Sequence, residues 1–468
     1  MPIDDHSQST IDPERPSPTA AKPPPSRSWW APLRALLLRM HFYAGVLVAP
    51  FIFVAAASGL LYVWTPQVEE LVYDRELHVA AVGEARLPLE EQVAAASGSL
   101  PQGTLTAVRP GDEPQDTTRV LFDVDGLPTD SHSRAVFVDP YTAEVRGTLT
   151  SYGGSGALPV RTWIDLLHRN LHLGDFGRVY SELAASWMWL IAAGGTALWI
   201  SRRRRRRRVR TTLLPEPKAR GMRRTMSFHG SIGLWLLVGL LFLSATGLTW
   251  SQFAGPNVAA IRGAMSWETP AVSTELPAES QTAASEGDVG VDRVLQTARE
   301  NGLDGPVEVT YPAGETAVYT VQQLDSSWPV RADSIAVDPA AGTVVDEVRF
   351  ADWPLMAKLA GLGIDAHMGL LFGVANQLVL TALALGLMVV MVLGYRMWWR
   401  RRPTPDARFS MGRPVPRGAW SALPWQLKCA VAAVTVAIGV LMPVLGVSLV
   451  LFLVVDTVLA AGRPESAP

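Results

Sequence analysis

The sequence predicts an α-helical polytopic membrane protein of five or six spans, built as a tandem parallel repeat, with two small α+β domains held outside the bilayer. Three observations predict this. Apolar residues arrive in uncharged blocks of about 20 or more, the length a bilayer span needs. Arginines gather at alternate ends of those blocks, as expected where short basic loops stay in the cytoplasm. Finally, the same short motifs recur in two halves of the chain, and a repeat of that kind sets the architecture.

The blocks divide the 468 residues in order. Residues 1–34 are rich in Pro, Ser and acidic side chains and read as a disordered cytoplasmic tail. Spans are predicted at 35–64, 183–201, 228–250 and 367–396. The last apolar block, 425–460, suits either one kinked helix or two short spans joined at Pro443 and Gly446. Segments 65–182 and 251–366 then lie outside, and the loops 202–227 and 397–424 lie inside.

A net charge of −2 says little, but its placement is informative. Arg202–Arg208 is unbroken, with Arg210, Lys218, Arg220, Arg223 and Arg224 beyond it. Arg396, Arg400, Arg401 and Arg402 close the fourth span, and Arg27, Arg34 and Arg39 precede the first. Arginine runs also bind nucleic acid, yet these sit at span ends, which makes the lipid bilayer the partner and leaves no nucleic acid in the reading. The N-terminus is placed in the cytoplasm.

Composition also excludes several chemistries. The chain has one cysteine, Cys429, so it forms no internal disulfide, cysteine-ligated iron–sulfur cluster or thioether-linked haem. It has no Gly-x-Gly-x-x-Gly fingerprint, and its cytoplasmic loops are too short for a nucleotide domain. An electron donor would therefore be the quinol pool or a separate reductase. A soluble-type hydrolase is disfavoured by the lack of Gly-x-Ser-x-Gly and His-Glu-x-x-His.

The repeat is read from paired motifs. His41-Phe-Tyr-Ala-Gly45 with Ser58-Gly59 matches His229-Gly-Ser-Ile-Gly233 with Thr246-Gly247. In each, glycines follow the histidine by 4 and 18 residues, which places all three on one helix face. Outside, Ala135-Val-Phe-Val-Asp-Pro140 with Val145 matches Ser334-Ile-Ala-Val-Asp-Pro339 with Val344. Each reads as a strand, an Asp-Pro turn and a second strand, preceded by a helical stretch at Leu87–Ala96 or Val291–Asn301.

Ahead of the second and fourth spans stand His168 with His172, and His367. Two registers fit: His168 to Gly174 matches His367 to Gly373, and His172-x-Gly matches His367-x-Gly. Both copies start inside, so the repeats are parallel.

Five of the eight histidines therefore sit at span ends, in two layers. His41 and His229 form the inner layer; His168, His172 and His367 form the outer one. Paired imidazoles from facing helices suit axial ligation of haem iron, which needs no cysteine. The glycines at +4 would leave room for a flat macrocycle. Arg39, Arg223 and Arg224 inside, and Arg169 and Arg178 outside, would suit its carboxylates. The bland alternative is that these histidines are interfacial residues and the glycines serve helix packing. Asp165 and Asp365 either orient an imidazole or cap a helix. Trp64, Trp250, Trp398 and Trp399 read as interfacial anchors, and His78, His132 and His6 as surface or tail residues.

On these motifs (His41-Phe-Tyr-Ala-Gly45 with Ser58-Gly59, Leu167-His168-Arg169 with Gly174 and Gly177, His229 with Thr246-Gly247, His367-Met-Gly369 with Phe372-Gly373) the chain resembles the PepSY-associated transmembrane proteins of bacteria over roughly 35–402. The Val-Asp-Pro-x-x-x-x-Val pattern makes the outer domains look like PepSY domains. That resemblance implies a multi-pass inner-membrane protein, and its members include b-type haem ferric-siderophore reductases. The expectation is an oxidoreductase with two haems b, held by His41 with His229 and by His367 with His168 or His172. It would pass electrons to an extracytoplasmic ferric chelate or siderophore for iron uptake. The alternative is a non-enzymatic regulatory protein whose outer domains bind a peptide, protease or chelate; a haem or metal permease comes third.

Overall fold

The computed structural model describes residues 29–203, 209–277, 287–401 and 417–461. The tail to residue 28, Arg204–Arg208 and most of the 397–424 loop lie outside the described residues.

The chain enters through α1 (Trp30–Leu47) and α2 (Ala49–Val63), bent by 58° at their junction. Pro50 is the cause, because it lacks an N–H and its ring crowds the carbonyl one turn back. Two short helices, α3 (Thr65–Val72) and α4 (Asp74–Leu77), lead outward. The first half of the sheet domain follows: α5 (Leu89–Ser99), β1 (Thr104–Arg109), β2 (Thr118–Asp123), β3 (His132–Val138) and β4 (Val145–Tyr152). Helix α6 (Pro159–Asn170) then turns the chain into α7 (Gly174–Arg203), and α8 (Val209–Leu213) is a short link.

The second half repeats the plan. Helix α9 (Gly221–Thr249) is followed by α10 (Ala254–Ala264), α11 (Val291–Glu300), β5 (Val307–Thr310), β6 (Tyr319–Gln323), β7 (Ser334–Val337) and β8 (Val344–Val348). Then α12 (Leu355–Met368) precedes α13 (Gly373–Trp399), and α14 (Trp425–Leu441) and α15 (Pro443–Ala461) close the chain.

Both expected hairpins form, β3–β4 and β7–β8, and the Asp of each Asp-Pro pair builds the turn. Asp139 accepts the Tyr141 N–H at 2.9 Å and Asp338 the Ala340 N–H at 2.8 Å, the local bonding that favours Asp in turns. The two halves are not separate sheets, however. All eight strands form one antiparallel sheet in the order β4-β3-β2-β1-β5-β6-β7-β8. The seam is Ala107 opposite Thr310 and Val108 opposite Val309. Each half alone would leave β1 or β5 as an open edge, and pairing the two removes both edges.

Helices α5 and α11 pack on one face of the sheet over a shared core including Phe122, Val136, Val294, Tyr319 and Ile335. Asp292 of α11 accepts the Leu89 and Glu90 N–H groups at 2.7 and 3.0 Å, capping α5 across the repeat. Full burial of side chains such as Phe122 and Ile335 contributes about 1.5–3 kcal/mol each.

The span count differs from five or six. Among the described residues three helices, α7, α9 and α13, are long and apolar enough to cross a membrane, and the bent pair α1–α2 makes a fourth if taken as one span. The last block breaks at Met442–Pro443 into α14 and an apolar Pro443–Leu459 stretch of α15. Each is 17 residues, short of the roughly 20 that a span needs. These four spanning units form the bundle: α7 packs on α9, α9 on α13, α13 on α2, and α1 on α7. The α14–α15 hairpin leans on its outside, where Trp187 Nε1 donates to Ser448 Oγ at 2.9 Å and Arg39 pairs with Asp456 at 2.5 Å.

Candidate functional site

Inside this bundle the repeat brings the histidines together in pairs. His41 on α1 and His229 on α9 face one another with ring centroids 6.2 Å apart. Each ring is held from the neighbouring helix. His41 Nδ1 donates to the Ile191 carbonyl at 3.0 Å and His229 Nδ1 to the Val390 carbonyl at 2.9 Å. A carbonyl only accepts, so the proton sits on Nδ1 and Nε2 keeps its lone pair, the tautomer a metal-ligating histidine needs. Close approach to His41 requires glycine on the supporting helix, since a Cβ on Gly195 would lie 2.6 Å from His41 Cε1; at Gly394 a Cβ would lie 3.5 Å from His229 Cε1, ordinary contact.

The outer histidines are oriented in another way. His168 Nδ1 lies 3.0 Å from Ser58 Oγ, and His367 Nδ1 2.5 Å from Thr246 Oγ1. Each hydroxyl already donates to its own helix, Ser58 to Val54 O at 2.8 Å and Thr246 to Phe242 O at 2.9 Å. The hydroxyls therefore accept from the imidazoles, and Nε2 is again bare. Gly59 gives the His168 ring room, since a Cβ there would lie 3.1 Å from His168 Cε1, whereas one on Gly247 would lie in ordinary contact at 3.9 Å from His367 Cε1. The Ser/Thr-Gly pairs are thus histidine seats. Sequence reading saw that they repeat but missed the hydroxyl's role.

Each pair opens onto a largely apolar cavity. The inner one, about 330 Å³, is lined by His41, His229, Gly45, Gly233 and residues of all four bundle helices. A Cβ at Gly45 or Gly233 would meet nothing within 4 Å. The outer one, about 500 Å³, is lined by His168, His367, Trp250, Asp165, Arg169 and Arg178, with Tyr152, Ser155 and Ala157 contributed from the sheet domain. Both volumes fall in the range of small-molecule and cofactor sites. Ile52, Met188 and Leu387 line both cavities, so the two adjoin at mid-bundle. From His41 to Ser58, and from His229 to Thr246, the chain advances 17 residues, roughly 25 Å of helix rise. The two sites sit near opposite ends of the spans.

Of the five histidines expected here, four therefore line cavities in two pairs, and His172 does not. It occupies a left-handed turn (φ 57°) with its ring against Trp163, centroids 4.8 Å apart. Helices α6 and α12 end just after His168 and His367, while α7 and α13 begin at Gly174 and Gly373. That selects the register in which His168 to Gly174 matches His367 to Gly373. Neither Asp165 nor Asp365 bonds its histidine's Nδ1, which the hydroxyls take. His78 lies against Glu70 and Asp74, and His132 against Thr129 and Tyr152, all in the sheet domain.

The arginines also sort differently. Arg169 and Arg178 do line the outer cavity. Arg169 Nη1 donates to Tyr152 OH at 2.7 Å while its buried Nε has no partner, and Arg178 donates to Trp250 O at 3.0 Å. The inner candidates are engaged elsewhere: Arg39 pairs with Asp456, Arg223 with Glu216, and Arg224 lies over Phe228. Arg34, Arg202 and Arg401 line the inner cavity instead.

The geometry fits a metal macrocycle better than a bare ion. Among the described residues no group of three or more His, Cys, Asp or Glu side chains is placed to hold a metal. A metal held at about 2 Å from one nitrogen of each of two opposed imidazoles sets the ring centroids about 6 Å apart. The His41–His229 separation matches that, and the open space beside Gly45 and Gly233 is what a planar ligand would fill.

No curated protein matches the chain. The family model described as the PepSY-associated TM region matches residues 38–401, which include all four cavity-lining histidines and stop before the α14–α15 hairpin. That match covers most of the 468 residues, so the chain is a multi-pass membrane protein belonging to the PepSY-associated TM region family.

Proposed function

We propose that the protein is a haem-containing membrane oxidoreductase that passes electrons through its bundle to ferric iron held in a chelate on the sheet-domain side. The observation that carries this reading is the doubled pair of imidazoles, each lining a cavity and each with Nδ1 bonded to a neighbouring carbonyl or hydroxyl so that Nε2 keeps its lone pair. The arginine-rich end is the cytoplasmic one under the positive-inside rule, with the sheet domain and the outer pair opposite.

In this reading His41 with His229, and His168 with His367, would hold two b-type haems, which would supply a reversible one-electron iron couple. The chain's own residues do the rest. Ile191 and Val390 carbonyls and the Ser58 and Thr246 hydroxyls fix each imidazole's tautomer and aim. Ile52, Met188 and Leu387 keep water from the gap between the two cavities. Tyr152, Ser155 and Ala157 form the roof at which a ferric chelate would approach. Reducing Fe(III) to Fe(II) adds one electron and weakens the hold of hard oxygen ligands, freeing the iron for uptake. The electron comes from membrane quinol or a separate reductase.

The test is an optical spectrum of the detergent-purified, haem-replete protein before and after dithionite. A sharp reduced α-band with two haems per chain supports the reading. A haem-free, well-folded protein would overturn it and favour a binding or regulatory role for the sheet domain.

A further inference from the structure

The basic end of the bundle carries more arginines than lining the inner cavity requires, and several of them are engaged elsewhere. Arg39 pairs with Asp456, Arg203 and Arg223 share Glu216, and Arg224 lies over Phe228. Arg34, Arg202 and Arg401 are placed differently. They come from three separate helices or helix ends, α1, α7 and the end of α13, yet all line the one cavity that holds His41 and His229. None of the three has an acidic partner among the described residues.

A topological signal alone asks only that arginines stand at span ends. It gives no reason for three to converge on one cavity without counter-charge. Arg202 and Arg401 are exposed and Arg34 half-buried, so the three stand at the mouth of the cavity, where a bound anion would meet all of them. The rest of that cavity is apolar and ends against Ile52, Met188 and Leu387 at mid-bundle. Its occupant must therefore be amphipathic, with an apolar body toward the bundle centre and negative charge at the basic mouth. The outer cavity is also lined by two arginines, Arg169 and Arg178, beside Asp165 and Glu182, whose carboxylate accepts the Phe253 and Ala254 N–H groups, and it shares the same three apolar residues with the inner one.

We propose that Arg34, Arg202 and Arg401 bind the carboxylates of a macrocycle seated between His41 and His229, so that the inner and outer macrocycles stand back to back with carboxylates facing opposite ends of the bundle. This rests on the haem reading above and adds the orientation and the anchoring residues. Guanidinium–carboxylate contacts are charge-assisted and directional. They hold the apolar edges of the two macrocycles toward each other across Ile52, Met188 and Leu387.

The experiment compares iron protoporphyrin with its dimethyl ester, which keeps the ring and iron but removes both negative charges. Each is titrated into stripped, full-length His367→Ala protein, which isolates the inner cavity, and binding is read from the absorption spectrum. The acid should bind about tenfold or more tightly than the ester. In the added triple variant Arg34→Gln, Arg202→Gln, Arg401→Gln the acid should fall to the level of the ester, while ester binding stays unchanged and reports an intact site. Equal binding of acid and ester before the arginines are replaced would overturn the carboxylate proposal and leave the haem reading standing. So would an acid preference that survives the triple variant. Failure of both porphyrins to bind would overturn the haem reading itself.

Discussion

The hydroxyl of Tyr395 lies 2.8 Å from the Val46 carbonyl, the one carbonyl that Pro50, four residues on, leaves without a helical N–H. A proline kink in an apolar bundle is tolerated when a neighbour re-satisfies the freed backbone group. Here the neighbour stands on α13, so the 58° bend of the first span is tied to the fourth. Tyr395→Phe should destabilise the protein by about 1–3 kcal/mol, because a buried acceptor is left unpaired. Adding Pro50→Ala restores an N–H at that position, so the double variant should recover much of the loss in thermal unfolding in detergent. Additive losses would show that the hydroxyl acts elsewhere.

His41→Ala or His229→Ala should each remove the inner haem alone, and His168→Ala or His367→Ala the outer one, read as haem per chain and as loss of one redox component. His172→Ala should leave both, since its ring packs on Trp163 outside the cavities. A loss of haem in His172→Ala matching that in His168→Ala would refute the assignment.

Ser58→Ala and Thr246→Val remove the acceptors that hold Nδ1–H of His168 and His367. Removing such an orienting partner typically weakens a metal site about 10–100-fold. The outer haem should be lost first on dilution or competition, with the inner one unaffected.

Gly195→Ala places a Cβ 2.6 Å from His41 Cε1, so the ring must shift. Inner haem content should drop while folding survives. Gly98→Ala, where an added Cβ meets nothing within 4 Å, is the matched control. Equal haem loss in both variants would count against the close approach.

Glu69, on α3 outside the spans, gives a pH prediction. Its carboxylate accepts the Leu158 N–H at 2.7 Å and lies 3.9 Å from Arg161. Burial pushes it above the usual carboxylate range, with Arg161 and the Leu158 N–H pulling it partly back. The folded value being raised, its stabilising contribution is present at low pH and is lost as pH rises through that raised value. Glu69→Gln should flatten this part of the stability–pH curve. Superimposable curves for the two proteins would show that Glu69 does not titrate in that way.

Local signals made much of this protein legible. The apolar blocks at 183–201, 228–250 and 367–396 became α7, α9 and α13 because backbone groups in hydrocarbon must bond within their own helix. The Asp-Pro hairpins followed from side-chain bonding two residues on, and the doubled motifs singled out His41, His229 and His367 together with His168 or His172.

Other features depend on partners far away in sequence. Nothing near β1 or β5 announces that two domains become one sheet; that pairing joins Val108 to Val309 only once both halves have folded. The final block fell to two short helices because Met442–Pro443 interrupts it, and the register at His168 was settled by where α6 ends. The Ile191 and Val390 carbonyls leave no mark in sequence, since every residue has one. Periodicity and motif spacing act within one segment, so the sequence by itself determined the apolar cores of α7, α9 and α13 and the two Asp-Pro hairpins. Which arginines face the inner cavity, which carbonyls seat the imidazoles and how the two halves join were decided by tertiary packing, because each depends on contacts between segments more than a hundred residues apart.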